Sequence, residues 1–250
     1  IRRFFKHKLA GIAVAVLTVL VVASILAFAS PYSATEQEPS NKFQTSSVDH
    51  WFGTDELGRD IFTRILYGGR VSLAVGLLST FLSIALGVVV GALAGYFGGW
   101  TDSILMRVTD AFLTFPSIFV LIILGAYLRE QQVPWLKNSV VIVIIIIAAL
   151  SWMWPARLVR GLFLVLRERE FVNATRALGG SHLRIIVRHI LPNCIGPILV
   201  SGTLQMASAI ITESGLSYLG FGVQPPTPTW GSILSTAENQ VFRAPWIAFY

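Results

Sequence analysis

Apolar residues in this chain run in long unbroken blocks rather than at strand or amphipathic-helix periods. Five stretches hold no Asp, Glu, Lys or Arg: Leu9–Ser30, Val71–Phe97, Ala111–Leu128, Ser139–Ala156 and Cys194–Ile211. A helix rising 1.5 Å per residue needs roughly 20 apolar residues to cross a hydrocarbon core of about 30 Å. Each block therefore predicts a membrane span. The alternative for the shorter three is a buried core helix, but five such blocks in one chain argue against it. A sixth span, truncated, is expected to begin at Pro245-Trp246-Ile247-Ala248-Phe249-Tyr250; the chain also starts at Ile1 without Met, so both edges look cut. The expected fold class is an all-α, polytopic helical membrane protein.

Composition sharpens this. Over 250 residues, 54% are hydrophobic and only 13% charged, about half the soluble norm of roughly 25%. So few charges cannot cover a soluble surface, and lipid must cover part of it. Disorder, nucleic-acid binding and a disulfide scaffold are excluded; Cys194 is the single cysteine. The net charge of +6 is distributed topologically. Ile1–Lys8, Gly98–Asp110 and Arg157–Asn193 carry twelve Lys/Arg against four acids, whereas Pro31–Arg70, Arg129–Asn138 and the chain after Thr212 carry seven against nine. That asymmetry predicts a cytoplasmic N-terminus. A cleaved signal peptide is the alternative for the first block, since Arg2-Arg3 precede it and Ala27-Phe28-Ala29 resembles a cleavage site; 22 apolar residues are long for that and favour an anchoring helix.

Catalytic chemistry is missing. Lys6, Lys8, Lys42 and Lys137 follow Phe, His, Asn and Leu, so none is a P-loop lysine. His7, His50, His182 and His189 lack metal-ligand spacing and are expected to be surface or interface histidines. The five blocks lack ionisable groups, which argues against an ion-coupled carrier. Uphill transport would then need energy from a partner.

Two segments carry finer information. Ser79, Ser83, Gly87, Gly91 and Gly95 repeat every four residues, with Ser72, Gly76 and Thr80 extending the stripe. Small residues at that spacing predict a groove for close approach of another helix. In Arg157–Pro192, Arg157, Arg160, Arg167 and Arg169 extend the fourth span. A short helix, Glu170-Phe171-Val172-Asn173-Ala174-Thr175-Arg176-Ala177-Leu178, puts Phe171, Ala174 and Leu178 on one face. Gly179-Gly180 stops it, and Ser181 caps a second helix expected to run to a break at Pro192. Such a knob can lie on lipid or dock in a groove of a soluble partner.

Asn173-Ala174-Thr175-x-x-x-Gly179, followed by His189-Ile190-Leu191-Pro192, resembles the E-A-A-x-x-x-G…I-x-L-P loop of binding-protein-dependent ABC importer permeases. Asn173 stands where that family prefers Glu, and Thr175 where it prefers Ala. A second stretch, Gly53-Thr54-Asp55-Glu56-Leu57-Gly58-Arg59-Asp60, together with Gly220-Phe221-Gly222-Val223-Gln224-Pro225-Pro226-Thr227-Pro228-Thr229-Trp230-Gly231, resembles the "C" permease subunit of dipeptide, oligopeptide and nickel importers. Locally, Thr54 or Asp55 is expected to cap a helix, Asp60 and Arg64 to pair at i,i+4, and Gly68-Gly69 to end a turn before the membrane.

The resemblance implies an ABC type I importer permease fold with six spans, in a bacterial inner membrane. It divides the chain into a tail and first span (1–30), an extracytoplasmic loop with an elbow helix (31–70) and a permease core (71–250) containing the coupling loop 157–193. It implies that Glu170, Phe171, Asn173, Ala174, Thr175, Arg176, Leu178 and Gly179 meet a cytoplasmic ATPase. A second permease, two ATPase subunits that use ATP and Mg, and an extracytoplasmic binding protein would complete the assembly. This chain would bind no cofactor and no nucleic acid and would carry short peptides; nickel chelates or antimicrobial peptides are the alternatives within the family. Outside it stand a secondary transporter or channel and a non-transporting scaffold.

Overall fold

A computed structural model describes residues 8–130 and 139–249. The basic tail Arg2, Arg3 and Lys6, most of the connection around Lys137, and Tyr250 lie outside the described residues. Among the described residues there are ten α-helices and no β-strand: α1 (Lys8–Ile25), α2 (Ile61–Phe97), α3 (Gly99–Thr114), α4 (Ser117–Glu130), α5 (Ser139–Ala149), α6 (Met153–Leu166), α7 (Glu170–Ala177), α8 (His182–Arg184), α9 (Leu191–Tyr218) and α10 (Trp230–Asn239). The chain divides into two compact units, Ile1–Val75 with Ile210–Tyr250, and Gly76–Ala209.

In the first unit, α1 keeps its apolar side chains exposed along its length, with Leu9, Ile12, Leu17 and Val19 all more than half exposed. Water would not tolerate that surface; hydrocarbon does. Residues 30–60 are irregular apart from a 3-10 turn at Pro39–Asn41. The helix that follows starts at Ile61, ten residues before the predicted Val71. Asp60 makes that start, its Oδ1 accepting from the Thr63 backbone N–H at 2.7 Å. Gly68-Gly69 do not end a turn, as the sequence suggested, because α2 runs through them. They are packing residues: a Cβ on Gly68 would sit 3.2 Å from the Thr229 backbone, and one on Gly69 only 2.4 Å from Ser24 Oγ. At 37 residues, α2 is about 55 Å long and overshoots the bilayer core. Pro245–Ala248, where a last span was expected to start, forms a 3-10 turn whose Ile247 packs with Ile61, Ala237 and Ala244.

In the second unit, two predicted spans are bent. The α3–α4 pair turns by 87° and the α5–α6 pair by 41°. Pro116 stands at the first bend and removes a backbone donor there. The predicted connection Gly98–Asp110 is itself largely α3, which begins after Gly98 in a positive-φ conformation (φ 68°). Among the described residues, three helices can cross a membrane by length and composition, or five if each bent pair is one span.

The expected break at Pro192 is absent. From Ile185 to Ile190 the backbone is π-helical, with the Leu191 N–H donating to the Ile186 carbonyl five residues back. That wider turn absorbs the proline ring, which an α-turn would drive against the carbonyl four residues earlier. His182–Tyr218 therefore continues as one 37-residue helical run.

Candidate functional site

The knob predicted around residue 174 is present in the second unit. Its helix α7 ends in paired backbone bonds: Gly179 N–H to Arg176 O and Gly180 N–H to Thr175 O, each 3.0 Å, with Gly179 at φ 76°. This left-handed stop favours glycine, which has no Cβ to clash there. Ser181 Oγ then accepts from Arg184 N–H at 3.4 Å, the predicted cap.

One side chain anchors the knob. Val172 is fully buried in a cluster with Ala92, Tyr96, Val159, Phe163, Ile185, Ile190 and Cys194. The predicted face points outward: Phe171, Ala174 and Leu178 are exposed, Leu178 by 89%. Glu170, Asn173, Arg176 and Gly179 are exposed and Thr175 half-buried. Asn173 is satisfied within the segment, donating to Glu168 O at 3.4 Å and accepting from Arg176 at 3.3 Å. An unpartnered face of two large apolar residues on a helix held at its root is built for contact with something else.

The struts behind the knob are polar. Arg167 donates to the Gly95 carbonyl at 3.0 Å, Tyr96 Oη meets His182 Nδ1 at 2.9 Å, and Arg160 grips Asp102 through two hydrogen bonds. Arg157 and Asp110 pair at 2.5 Å. The Asp102, Asp110 and Tyr96 partnerships were not legible in the sequence, because nothing in residue spacing connects positions 47 to 86 apart.

The small-residue stripe lies against α6. A Cβ on Gly87 would meet Pro155 Cβ at 2.6 Å, one on Gly91 the Ala156 carbonyl at 2.4 Å, and one on Gly95 Phe163 Cβ at 2.6 Å. Ser83 Oγ accepts from Gln205, whose amide also reaches Ser151 O at 3.0 Å, and Ser79 donates to Gly76 O at 3.4 Å. Thr80, on the same stripe, buries its hydroxyl without a partner.

The 53–60 motif folds as a buried electrostatic knot in the first unit, with different pairings from those expected. Thr54 and Asp55 cap no helix. Thr54 Oγ1 bonds the Asn41 carbonyl and accepts from Gln44 N–H. Asp55 Oδ1 accepts the backbone N–H groups of Leu57 and Arg59 at 2.9 and 3.0 Å, and its Oδ2 binds Arg59 Nε at 2.7 Å and faces Arg64 Nε at 3.5 Å. Asp60 pairs with His50 Nδ1 at 2.9 Å, not with Arg64. His50 is consequently buried rather than a surface histidine. Gly53 (φ 74°) and Gly58 (φ 77°) make the tight returns; a Cβ on Gly58 would fall 1.8 Å from the Glu38 carbonyl.

One carboxyl group lies just past the last charge-free block. Helix α9 extends beyond Ile211 and carries Glu213, fully buried, with Ser72 and Ser217 hydroxyls donating at 2.7 and 2.6 Å. Among the described residues no cluster of His, Cys, Asp or Glu could hold a metal ion.

Residues 87–249 match the family described as binding-protein-dependent transport system inner membrane component, and residues 1–45 match the N-terminal transmembrane domain of oligopeptide transport permease C. The dipeptide transport system permease protein DppC of Alkalihalophilus pseudofirmus is 40% identical over 98% of this chain and 78% of its own length. The glutathione transport system permease protein GsiD of Escherichia coli is 39% identical, over 100% of this chain and 80% of its own. Among solved structures, an inward-facing MetNI methionine ABC transporter superposes with a TM-score of 0.58 at 18% identity, covering 72% of this chain and 82% of that one; this likeness speaks for the fold. The chain belongs to the binding-protein-dependent transport family and is a multi-pass membrane permease subunit of an ABC importer.

Proposed function

We propose that this chain forms half of the pathway of an ATP-driven importer of short peptides and that α7 is its contact with the ATPase. The names of the DppC and GsiD relatives support the substrate class. A homologous second permease completes the pathway, two cytoplasmic ATPase subunits hydrolyse ATP with Mg, and an extracytoplasmic binding protein delivers the peptide. The charge asymmetry supports a cytoplasmic N-terminus, which puts α7 on the ATPase side.

One observation carries the coupling role: Val172 roots α7 in the helix core while Phe171 and Leu178 stay exposed. A push on that face moves α7 as a lever on α2, α6 and the run into α9, a rigid-body route to alternating access. Gly179→Ile tests it. A β-branched residue at φ 76° is strained by about 1–2 kcal/mol, so the knob must re-form in another shape. The expected result in proteoliposomes is a fully inserted complex whose ATP hydrolysis no longer responds to loaded binding protein and whose uptake is lost. Normal stimulated hydrolysis with normal uptake would remove α7 from the coupling path.

A further inference from the structure

The knot around Asp55 faces a cavity in the first unit. Its volume is about 460 Å³, and Glu56, Arg59, Arg64, Gln224, Ser235 and Thr236 are among the residues that line it. Arg59 and Arg64 are 7% and 6% exposed, and they share a single carboxylate. Asp55, which satisfies one face of both, is not among the residues that line this cavity. Arg59 spends only its Nε on Asp55; Arg64 gives one terminal nitrogen to the Ala34 carbonyl at 3.0 Å and holds its Nε at ion-pair distance, 3.5 Å, from Asp55. Among the described residues no further acceptor meets these two guanidinium groups, and two like charges in a poorly hydrated wall attract an anion.

The opposite sign is present too. Glu56 lines the same cavity, and its Oε2 accepts from Gln240 at 2.6 Å. No ion pair joins Glu56 to Arg59 or Arg64 among the described residues. Two cations and one separate anion around a space this size match a small molecule that carries both charges at its ends. Gln224, Ser235 and Thr236 add neutral polar residues to the lining, with the Gln224 amide donating to the Gly220 and Gly222 carbonyls and the Thr236 hydroxyl to the Ser232 carbonyl.

We infer that this cavity is a subsite for a zwitterionic short peptide, with the terminal carboxylate on Arg59 and Arg64 and the terminal ammonium on Glu56. The inference rests on the peptide reading above and adds a solute-binding position on the permease itself. The space is too large for one protein carboxyl group alone, which favours a free solute over an acidic side chain of a docked protein.

The test uses the complete permease–ATPase complex in nanodiscs without binding protein, titrated by saturation-transfer NMR with Ala-Ala, its C-terminal amide and its N-acetyl form. The wild type should bind Ala-Ala about tenfold more tightly than either blocked probe. Glu56→Gln, which keeps the Gln240 contact, should abolish the penalty for acetylation and leave the penalty for amidation. Ser235→Glu should bind Ala-Ala about tenfold more weakly than Ser235→Gln, because the new carboxylate competes for the arginines. A merely structural role for these residues would shift all three probes alike, and that result would overturn the subsite. So would equal affinity for Ala-Ala in Ser235→Glu and Ser235→Gln. Dipeptide uptake by the full transporter is measured in parallel: uptake without direct binding sinks the subsite alone, and no uptake sinks the peptide reading with it.

Discussion

Asp55 accepts two backbone N–H groups on one oxygen and the Arg59 guanidinium on the other, with the Arg64 guanidinium at ion-pair distance. Removing its charge leaves two buried cations facing each other, which costs about 3–5 kcal/mol by analogy with other broken buried pairs. Asp55→Asn should therefore lower the detergent thermal midpoint sharply, measured by fluorescence-detected size exclusion, whereas the exposed Asp49→Asn should leave it unchanged. Glu213 is a different case, a buried acid whose two oxygens accept from serine hydroxyls. Its Ser72 partner also accepts from Trp230 N–H at 3.3 Å, and Ser217 accepts from Val223 N–H at 3.1 Å. Glu213→Gln keeps an acceptor for one or both hydroxyls and should cost about 1 kcal/mol; Glu213→Ala strands both and should cost about 2–3 kcal/mol. Equal losses in the two variants would show that shape, not the acceptor, is what the site needs. The sequence pointed to the 53–60 motif as a unit but paired its charges by i,i+4 spacing. Only Asp55 and Arg59 obey that rule, because the segment before Ile61 is a loop whose partners come from residues 34 to 50.

Helix identity was legible wherever lipid dictates composition, and helix boundaries were not. Long apolar blocks revealed that spans exist, since only intrahelical bonding satisfies a backbone in hydrocarbon. Charge-free composition could not place the start of α2, because the helix begins with the Asp60 cap and takes Arg64 and Arg70 into its first turns. Nor could it foresee that π-geometry would carry the backbone past Pro192. The four-residue stripe was legible because glycine spacing is itself the packing surface, although its partner α6 was not. That interface gives a sharp contrast between two glycines. Gly91→Ala puts a Cβ 2.4 Å from the Ala156 carbonyl, a backbone atom that cannot turn aside, and should cost about 1–3 kcal/mol. Gly161→Ala, on α6 with open space around it, should stabilise by about 0.5–1 kcal/mol through helix propensity. Thermal midpoints moving in opposite directions are the expected outcome; parallel shifts would mean that α2 and α6 do not pack through the stripe.

At the scale of the molecule, topology can be read with thiols, because the native cysteine is silent. Cys194 is fully buried and its thiol donates to the Ile190 carbonyl at 3.5 Å, so a membrane-impermeant maleimide will not reach it in the folded chain. Val48→Cys and Leu178→Cys then report single sites, at positions 91% and 89% exposed respectively. With the proposed cytoplasmic N-terminus, 31–70 lies outside and 157–193 inside. Intact cells or right-side-out vesicles should therefore label residue 48 and spare residue 178 until the membrane is opened. Once opened, Leu178→Cys discriminates further. If α7 sits in an ATPase groove, stripping the ATPase subunits should raise its labelling rate several-fold, while residue 48 stays constant. Labelling of residue 178 from outside would invert the whole assignment. Equal labelling with and without the ATPase would leave the topology standing but take away the groove, separating the two halves of the reading by one reagent on one chain.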